Sequence, residues 1–208
     1  MTIDQTVLAD ALALGTATLH EAAGRIGDLP PTLRPVTGST RLAGPAFTVL
    51  CPPGDNLLIH RAIYTAAPGD VLVVATGDET ARWGYWGEIM TIAAQQAGVA
   101  GLVLQGGTRD HDAIAELGWP TWSLGPCIRG TVKDKTRGQG RLGEPIQLGD
   151  VTIHTCDLIV ADTDGAVAIA HHTIDEVIRR SHERVTKERD AMNQLRNGAT
   201  TLDLYDLY

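Results

Sequence analysis

An α/β fold with mixed sheets is predicted, and three features of the sequence predict it. Between 71 and 124, short apolar runs alternate with helical patterns, as in β/α units that build a parallel sheet. From Pro145 to Ala170, four apolar segments follow one another with only turns between them, as in antiparallel pairing. A long amphipathic helix then closes the chain.

Taken in order, residues 3–14 carry a helical apolar pattern that Gly15 stops, and Thr16 or Thr18 can cap a short second helix over 19–23. Leu29-Pro30-Pro31 and Pro35 make the next stretch irregular. Residues 46–51 read as a strand bounded by Pro45 and by Pro52-Pro53-Gly54. Asp55 or Asn56 caps a helix over 57–66, Pro68-Gly69-Asp70 turns, and Val71–Ala75 is a buried strand. Residues 76–87 form a loop with Trp83 and Trp86, the latter pair either a pocket wall or a subunit contact. A helix covers 88–97, and Gly98 ends it.

The run 101–104 is the next strand; it stops at Gln105-Gly106-Gly107, and a helix begins after Asp110 and ends at Gly118. Residues 120–124 and 128–132 read as strands, and 133–143 as an exposed glycine-rich loop. Strands at 145–148, 151–154, 158–161 and 166–170 follow. Thr173 caps a helix to about Leu195 with Ile174, Val177, Ile178 and Val185 as its apolar stripe. The whole of 1–208 reads as one domain, with 173–208, including an apolar-acidic tail from Leu202, available for oligomer contacts.

A net charge of −8, with no basic block, argues against nucleic acid as a partner. No apolar run approaches the ~20 residues of a membrane helix. No charged-then-apolar leader is visible at the N-terminus, and three widely spaced cysteines read as thiols, so a cytoplasmic location is expected. There is no G-x-G-x-x-G and no P-loop lysine, so a nucleotide fold is not expected.

Chemistry is expected at two loops. In an open α/β sheet, ligands bind beyond the carboxyl ends of strands, where Arg109 and Asp110 fall. Gly87-Glu88-Ile89-Met90 starts a helix whose first N–H groups lack internal partners and, with the helix dipole, suit a small carboxylate. The Arg109 fork matches a carboxylate or a polarised carbonyl. Asp110 is a hard oxygen ligand for Mg²⁺ or Mn²⁺, and one carboxylate suffices when waters and substrate complete the octahedron. Glu88 is placed to accept from such waters. The same residues admit plainer readings: Asp110 as a helix N-cap, Arg109 as a surface ion pair, Glu88 as a first-turn carboxylate. His171-His172 reads as a polar turn, His60 as structural, and His111 and Asp112 as solvent-facing.

The segment Gly87-Glu88-Ile89-Met90, followed by Gly106-Gly107-Thr108-Arg109-Asp110, resembles the ribonuclease E activity regulator–like family. That family includes class II pyruvate aldolases acting on 4-hydroxy-4-methyl-2-oxoglutarate and 4-carboxy-4-hydroxy-2-oxoadipate. The resemblance continues through Gly118-Trp119-Pro120, Gly130-Thr131-Val132, Leu148-Gly149-Asp150 and Ala161–Gly165, and ends at Lys187-Glu188 and Leu202–Tyr205. It implies a swivelling β/β/α sandwich assembled as trimers or hexamers. It implies that amides of Gly87, Glu88, Ile89 and Met90 hold the pyruvyl carboxylate and that Arg109 binds the carbonyl or enolate oxygen. Asp110 would ligate Mg²⁺ (or Mn²⁺), with Glu88 in the outer shell and Glu188 reaching the metal waters of an adjacent subunit. Gln105 stands where the family often has Asp, and the Trp83–Trp86 loop is bulkier than usual.

The expected activity is cleavage of a 4-hydroxy-2-oxo acid to pyruvate and a second oxo acid, with oxaloacetate decarboxylation through the same enolate. A Schiff-base route is disfavoured, because Lys133, Lys135 and Lys187 do not lie at apolar strand ends. The alternative is a non-catalytic regulator that binds a ribonuclease, and a methyltransferase role finds no nucleoside-binding loop to support it.

Overall fold

The computed structural model describes residues 3–208 apart from 37, 39, 40, 78, 137 and 139, so part of the loop at 133–143 and one residue of the 76–87 loop lie outside the described residues. In chain order the elements are α1 (Gln5–Leu14), α2 (Thr16–Ala22), β1 (Arg34–Pro35), β2 (Leu42–Leu50), α3 (Leu57–Ile63), β3 (Val71–Ala75), β4 (Gly84–Trp86), α4 (Glu88–Gln96), β5 (Gly101–Leu104) and β6 (Gly107–Thr108). Then come α5 (His111–Glu116), β7 (Thr121–Ser123), β8 (Arg141–Leu142), β9 (Ile146–Leu148), β10 (Val151–Ile153), β11 (Leu158–Ala161), β12 (Ala166–Ile169), a 3₁₀ turn (His171–Thr173), α6 (Ile174–Arg196) and α7 (Thr201–Tyr205).

Eight strands make the central sheet in the order β1-β7-β5-β3-β2-β11-β12, with β8 also on β2. The β7, β5, β3 and β2 strands are parallel, whereas β11 pairs antiparallel with both β2 and β12. The continuous apolar run Val71–Ala75 is the reason β3 lies mid-sheet: every residue is buried, as parallel strands covered on both faces require.

The layers are β/β/α. On one face, Val71, Val73 and Val103 pack with Ile146, Leu148 and Ile153 of the β9–β10 ribbon and with Trp122. On the other, Leu72, Val74, Leu102 and Leu104 pack against Ile59 and Ile63 of α3, Met90 and Ala94 of α4, and Ile114 of α5. A third cluster seats α1, α2 and α6 on β11 and β12. Each fully buried aliphatic side chain contributes roughly 1.5–3 kcal/mol.

Several elements depart from the sequence reading. β2 begins at Leu42 and passes through Pro45: Leu42–Pro45 pair with β11 and Ala46–Leu50 with β3, so the proline sits where the strand changes neighbours and its missing N–H is tolerated. α2 starts at Thr16, whose N–H and hydroxyl both donate to Asp162 rather than the hydroxyl capping the helix. α3 ends at Ile63, short of Ala66. Residues 128–132 are not a strand; Val132 makes a single bridge to Asp55, and Ile128 is exposed. The meander divides into two hairpins, β9–β10 and β11–β12, on different layers. Along α6, Ile174 and Val177 are buried, but Val185 is exposed, so the apolar stripe is covered only in the first turns.

Candidate functional site

The two chemistry-bearing loops meet. β5 ends at Leu104, and the Gly106–Gly107 turn carries the chain to β6, which pairs in parallel with β4 from the Trp83–Trp86 loop. This pairing was invisible in the sequence because strands of three and two residues leave no periodicity. The Gly107 N–H donates to the Trp83 carbonyl at 3.1 Å and the Arg109 N–H to the Trp86 carbonyl at 2.9 Å. Only glycine fits at 107, where a Cβ would lie 2.6 Å from the Cys127 Cβ.

α4 starts at the end of β4, capped by Gly87 in extended backbone with no side-chain cap. Two of its first N–H groups are engaged: the Met90 N–H donates to the Gly87 carbonyl at 3.1 Å and the Glu88 N–H to Asp110 Oδ2 at 3.2 Å, and Arg109 Nε lies 3.6 Å from the same oxygen. A Cβ at Gly87 would stand 2.5 Å from Asp110 Oδ2 and 3.2 Å from Arg109 Nε, so these groups converge on a glycine cradle. Both side chains are nearly half exposed, at 49% for Arg109 and 42% for Asp110.

Asp110 occupies the N-cap position of α5, as its plainer reading required, yet its side chain makes no capping bond. Its backbone is left-handed, at φ 59 and ψ 39, a conformation that L residues adopt at a cost. The carboxylate is thereby turned to α4 instead of α5. The Thr108 hydroxyl, behind it, contacts His111 Nε2 at 2.6 Å and the Ser123 hydroxyl at 3.1 Å.

Trp86 and Trp119 stack at 5.3 Å with planes 7° apart. The Trp86 indole N–H donates to Thr91 Oγ1 at 2.7 Å, and that hydroxyl donates to the Gly87 carbonyl at 3.1 Å, fixing the first turn of α4. Trp86 is thus a pocket wall. Trp83 packs against Gly54 with the Arg82 guanidinium over its ring.

Beside this group lies a cavity of about 280 Å³, bounded by Trp86, Gly87, Ile89, Met90 and Arg109 on one side and by Asn56, His60, Thr131 and Lys133 on the other. The Asn56 amide donates to the Tyr85 carbonyl at 2.8 Å, and Asn56 Oδ1 is buried without a partner among the described residues, as is His60 Nε2. Burial, reinforced by the Lys133 charge, pushes the His60 pKa down. Asn56, His60 and Lys133 were missed as site residues; the sequence offers Asn56 as a cap and His60 as structural, and their shared wall appears only in the fold.

Glu88 is exposed. Glu188 lies far along α6, paired with Arg184 at 2.8 Å, and within one chain it has no contact with the Gly87–Arg109–Asp110 group. Cys51 is buried, which raises its thiol to about 12 and makes it inert. His171 and His172 form the 3₁₀ turn before α6, and the His171 N–H is held by Asp157.

Among the described residues no group of three or more His, Cys, Asp or Glu could hold a metal. A single carboxylate beside open solvent is a donor set that suits a hard divalent cation whose remaining positions are filled by water and substrate oxygens. Asp110 Oδ1 accepts no hydrogen bond from the described residues, which leaves that oxygen available.

Residues 6–168 match the family described as RraA-like, Aldolase/RraA. A protein of Halalkalibacterium halodurans named "Putative 4-hydroxy-4-methyl-2-oxoglutarate aldolase" is 34% identical over 81% of this chain and 79% of its own. A crystal structure of an uncharacterized Pseudomonas syringae pv. tomato protein superposes with a TM-score of 0.84 at 28% identity, covering 100% of this chain and 96% of that one. The RNA-processing inhibitor RraA from Thermus thermophilis superposes with a TM-score of 0.66 at 25% identity, over 74% of this chain and 91% of its own. This chain is thus similar in sequence to a relative bearing an aldolase's name and in structure to one bearing a regulator's name. No helix of the described residues is long and apolar enough to cross a membrane. The family model and the 34% identical relative show that the chain belongs to the Aldolase/RraA family.

Proposed function

We propose that the protein is a divalent-metal-dependent class II aldolase that cleaves a 4-hydroxy-2-oxo acid to pyruvate and a second oxo acid, and that it decarboxylates oxaloacetate. One observation carries this reading: the Asp110 carboxylate, turned away from the helix it precedes, shares a cradle at Gly87 with the Arg109 guanidinium and the N-terminus of α4.

Asp110 would hold the cation, with Glu88 receiving hydrogen bonds from its waters. A bound Mg²⁺ or Mn²⁺ supplies Lewis-acid polarisation of the 2-oxo group. The Ile89 N–H and the positive end of the α4 dipole bind the substrate's 1-carboxylate, since the Glu88 N–H is held by Asp110 and the Met90 N–H by the Gly87 carbonyl. Arg109 donates to the oxygen on which enolate charge develops once the C–C bond breaks, an interaction stronger in the transition state than in the ground state. The walls of Trp86, Ile89 and Met90 exclude water from the methylene carbon that becomes the pyruvate methyl. The far wall of Asn56, His60 and Lys133 offers polar groups to the second oxo product. We further propose a homo-oligomer, trimer or hexamer, in which Glu188 approaches a neighbour's site. The exposed Val185, Met192 and Leu195 along the same half of α6 support an interface there.

The test is pyruvate release from 4-hydroxy-4-methyl-2-oxoglutarate with Mg²⁺ and with EDTA. Loss of activity in EDTA and in Asp110→Ala is expected; activity indifferent to both contradicts the metal role. Structural likeness to the RNA-processing inhibitor keeps a second reading, a regulator that binds a ribonuclease. Capture of a purified ribonuclease without any pyruvate release would favour it.

A further inference from the structure

We propose that Thr108 is the positioning residue of this site. Its hydroxyl, clasped to His111 and anchored by Ser123, holds Asp110 left-handed and so aims the carboxylate at α4. The inference rests on the reading of Arg109 and Asp110 given above.

Thr108 and Ser123 are both fully buried. The Thr108 hydroxyl and His111 Nε2, 2.6 Å apart, are three residues apart in sequence, so their bond spans Arg109 and Asp110 and closes a loop around them. The Ser123 hydroxyl, 3.1 Å from Thr108 Oγ1, accepts the Gly125 N–H at 3.3 Å, while the Thr108 N–H donates to the Gly125 carbonyl at 3.0 Å. The end of β7 therefore grips both the main chain and the side chain of Thr108.

A grip is needed because Asp110 has an easier alternative. An aspartate preceding a helix ordinarily takes extended backbone and accepts from the second or third N–H of that helix. In that state the Asp110 carboxylate would cap α5 at Asp112 or Ala113, and Oδ2 would leave the Glu88 N–H. A left-handed non-glycine residue persists only where its surroundings over-determine it. The Thr108–His111 bond is the constraint that sits directly across it, since Asp110's own side chain contributes nothing to α5.

The experiment compares the full chain with Thr108→Val, which keeps the shape and removes the hydroxyl, Thr108→Ser, which restores it, and Ser123→Ala. Mn²⁺ binding is measured by electron paramagnetic resonance, the Asp110 backbone by crystallography, and Tm by calorimetry. Thr108→Val is expected to weaken Mn²⁺ binding about 10–100-fold, the range seen when a group orienting a ligand is lost. Its crystal is expected to show Asp110 at negative φ, and Thr108→Ser is expected to recover both properties. A Thr108→Val protein that keeps the parent's Mn²⁺ affinity, or a positive φ at Asp110, overturns the proposal. Should the parent bind no Mn²⁺, the metal reading fails and the clasp is judged on the Asp110 φ and the Oδ2–Glu88 contact alone. Should Thr108→Val not fold, Ser123→Ala, expected to weaken the same grip, carries the same measurements.

Discussion

Gly87→Ala isolates the convergence of the two loops. The backbone at 87 is extended, at φ −167, so alanine meets no conformational penalty there. The only obstacle is contact: the new Cβ would stand 2.5 Å from Asp110 Oδ2, about 0.9 Å short of ordinary contact at 3.4 Å. The atom displaced is the far end of a half-exposed side chain, which can swing into solvent, so the fold should lose less than about 1 kcal/mol. The site has no such freedom. Misplacing a positioned group by ~1 Å costs about 10²-fold in rate, which corresponds to about 2.7 kcal/mol in the barrier. Pyruvate release from 4-hydroxy-4-methyl-2-oxoglutarate, followed through lactate dehydrogenase at saturating Mg²⁺, should therefore fall about 10²-fold in kcat/KM, with Tm nearly unchanged. A variant within about threefold of the parent, or one whose losses follow global unfolding, would refute the argument.

Arg109→Lys replaces a planar fork with a point charge and should lower kcat about 10²-fold while the circular dichroism spectrum stays that of the parent. Trp119→Ala removes a side chain that is 4% exposed and stacked on Trp86; about 3–5 kcal/mol of stability and about 10 °C of Tm should be lost, by calorimetry. His60, whose burial disfavours its charged form, links stability to pH. The unfolded chain takes up the proton first as pH falls through about 6.5, so stability is full above that value and declines below it. His60→Gln should flatten the Tm–pH curve between about pH 7.5 and 5.

What could be read in advance was what local pattern determines. The runs at 71–75, 101–104, 158–161 and 166–169 are strands because unbroken burial on both faces writes itself as unbroken hydrophobicity. The meeting of Gly87 with Arg109 and Asp110 followed from placing both loops beyond strand ends. What was hidden depends on neighbours distant in sequence. Pro45 reads as a strand boundary until β11 and β3 are seen to take the two halves of β2. Ile128–Val132 has strand composition, but its carbonyls at Arg129 and Val132 are taken by Gly84 and Asn56, so it serves as a strap across loops. Asp110 is the sharpest instance. The cap position and the site reading share one residue, and the difference between them is a backbone angle fixed by Thr108, His111 and Ser123.

The β4–β6 zipper joins the halves of the site through main-chain atoms: Gly84 lies opposite Gly107 and Trp86 opposite Thr108. Its geometry is therefore indifferent to side-chain identity except at the glycines, where neither neighbouring carbonyl leaves room for a methyl group. Engineering of substrate preference has a clear partition as a result. Ile89 and Thr131 can be exchanged to reshape the walls, while the seam that aligns the charged groups is carried by peptide bonds that no such exchange alters.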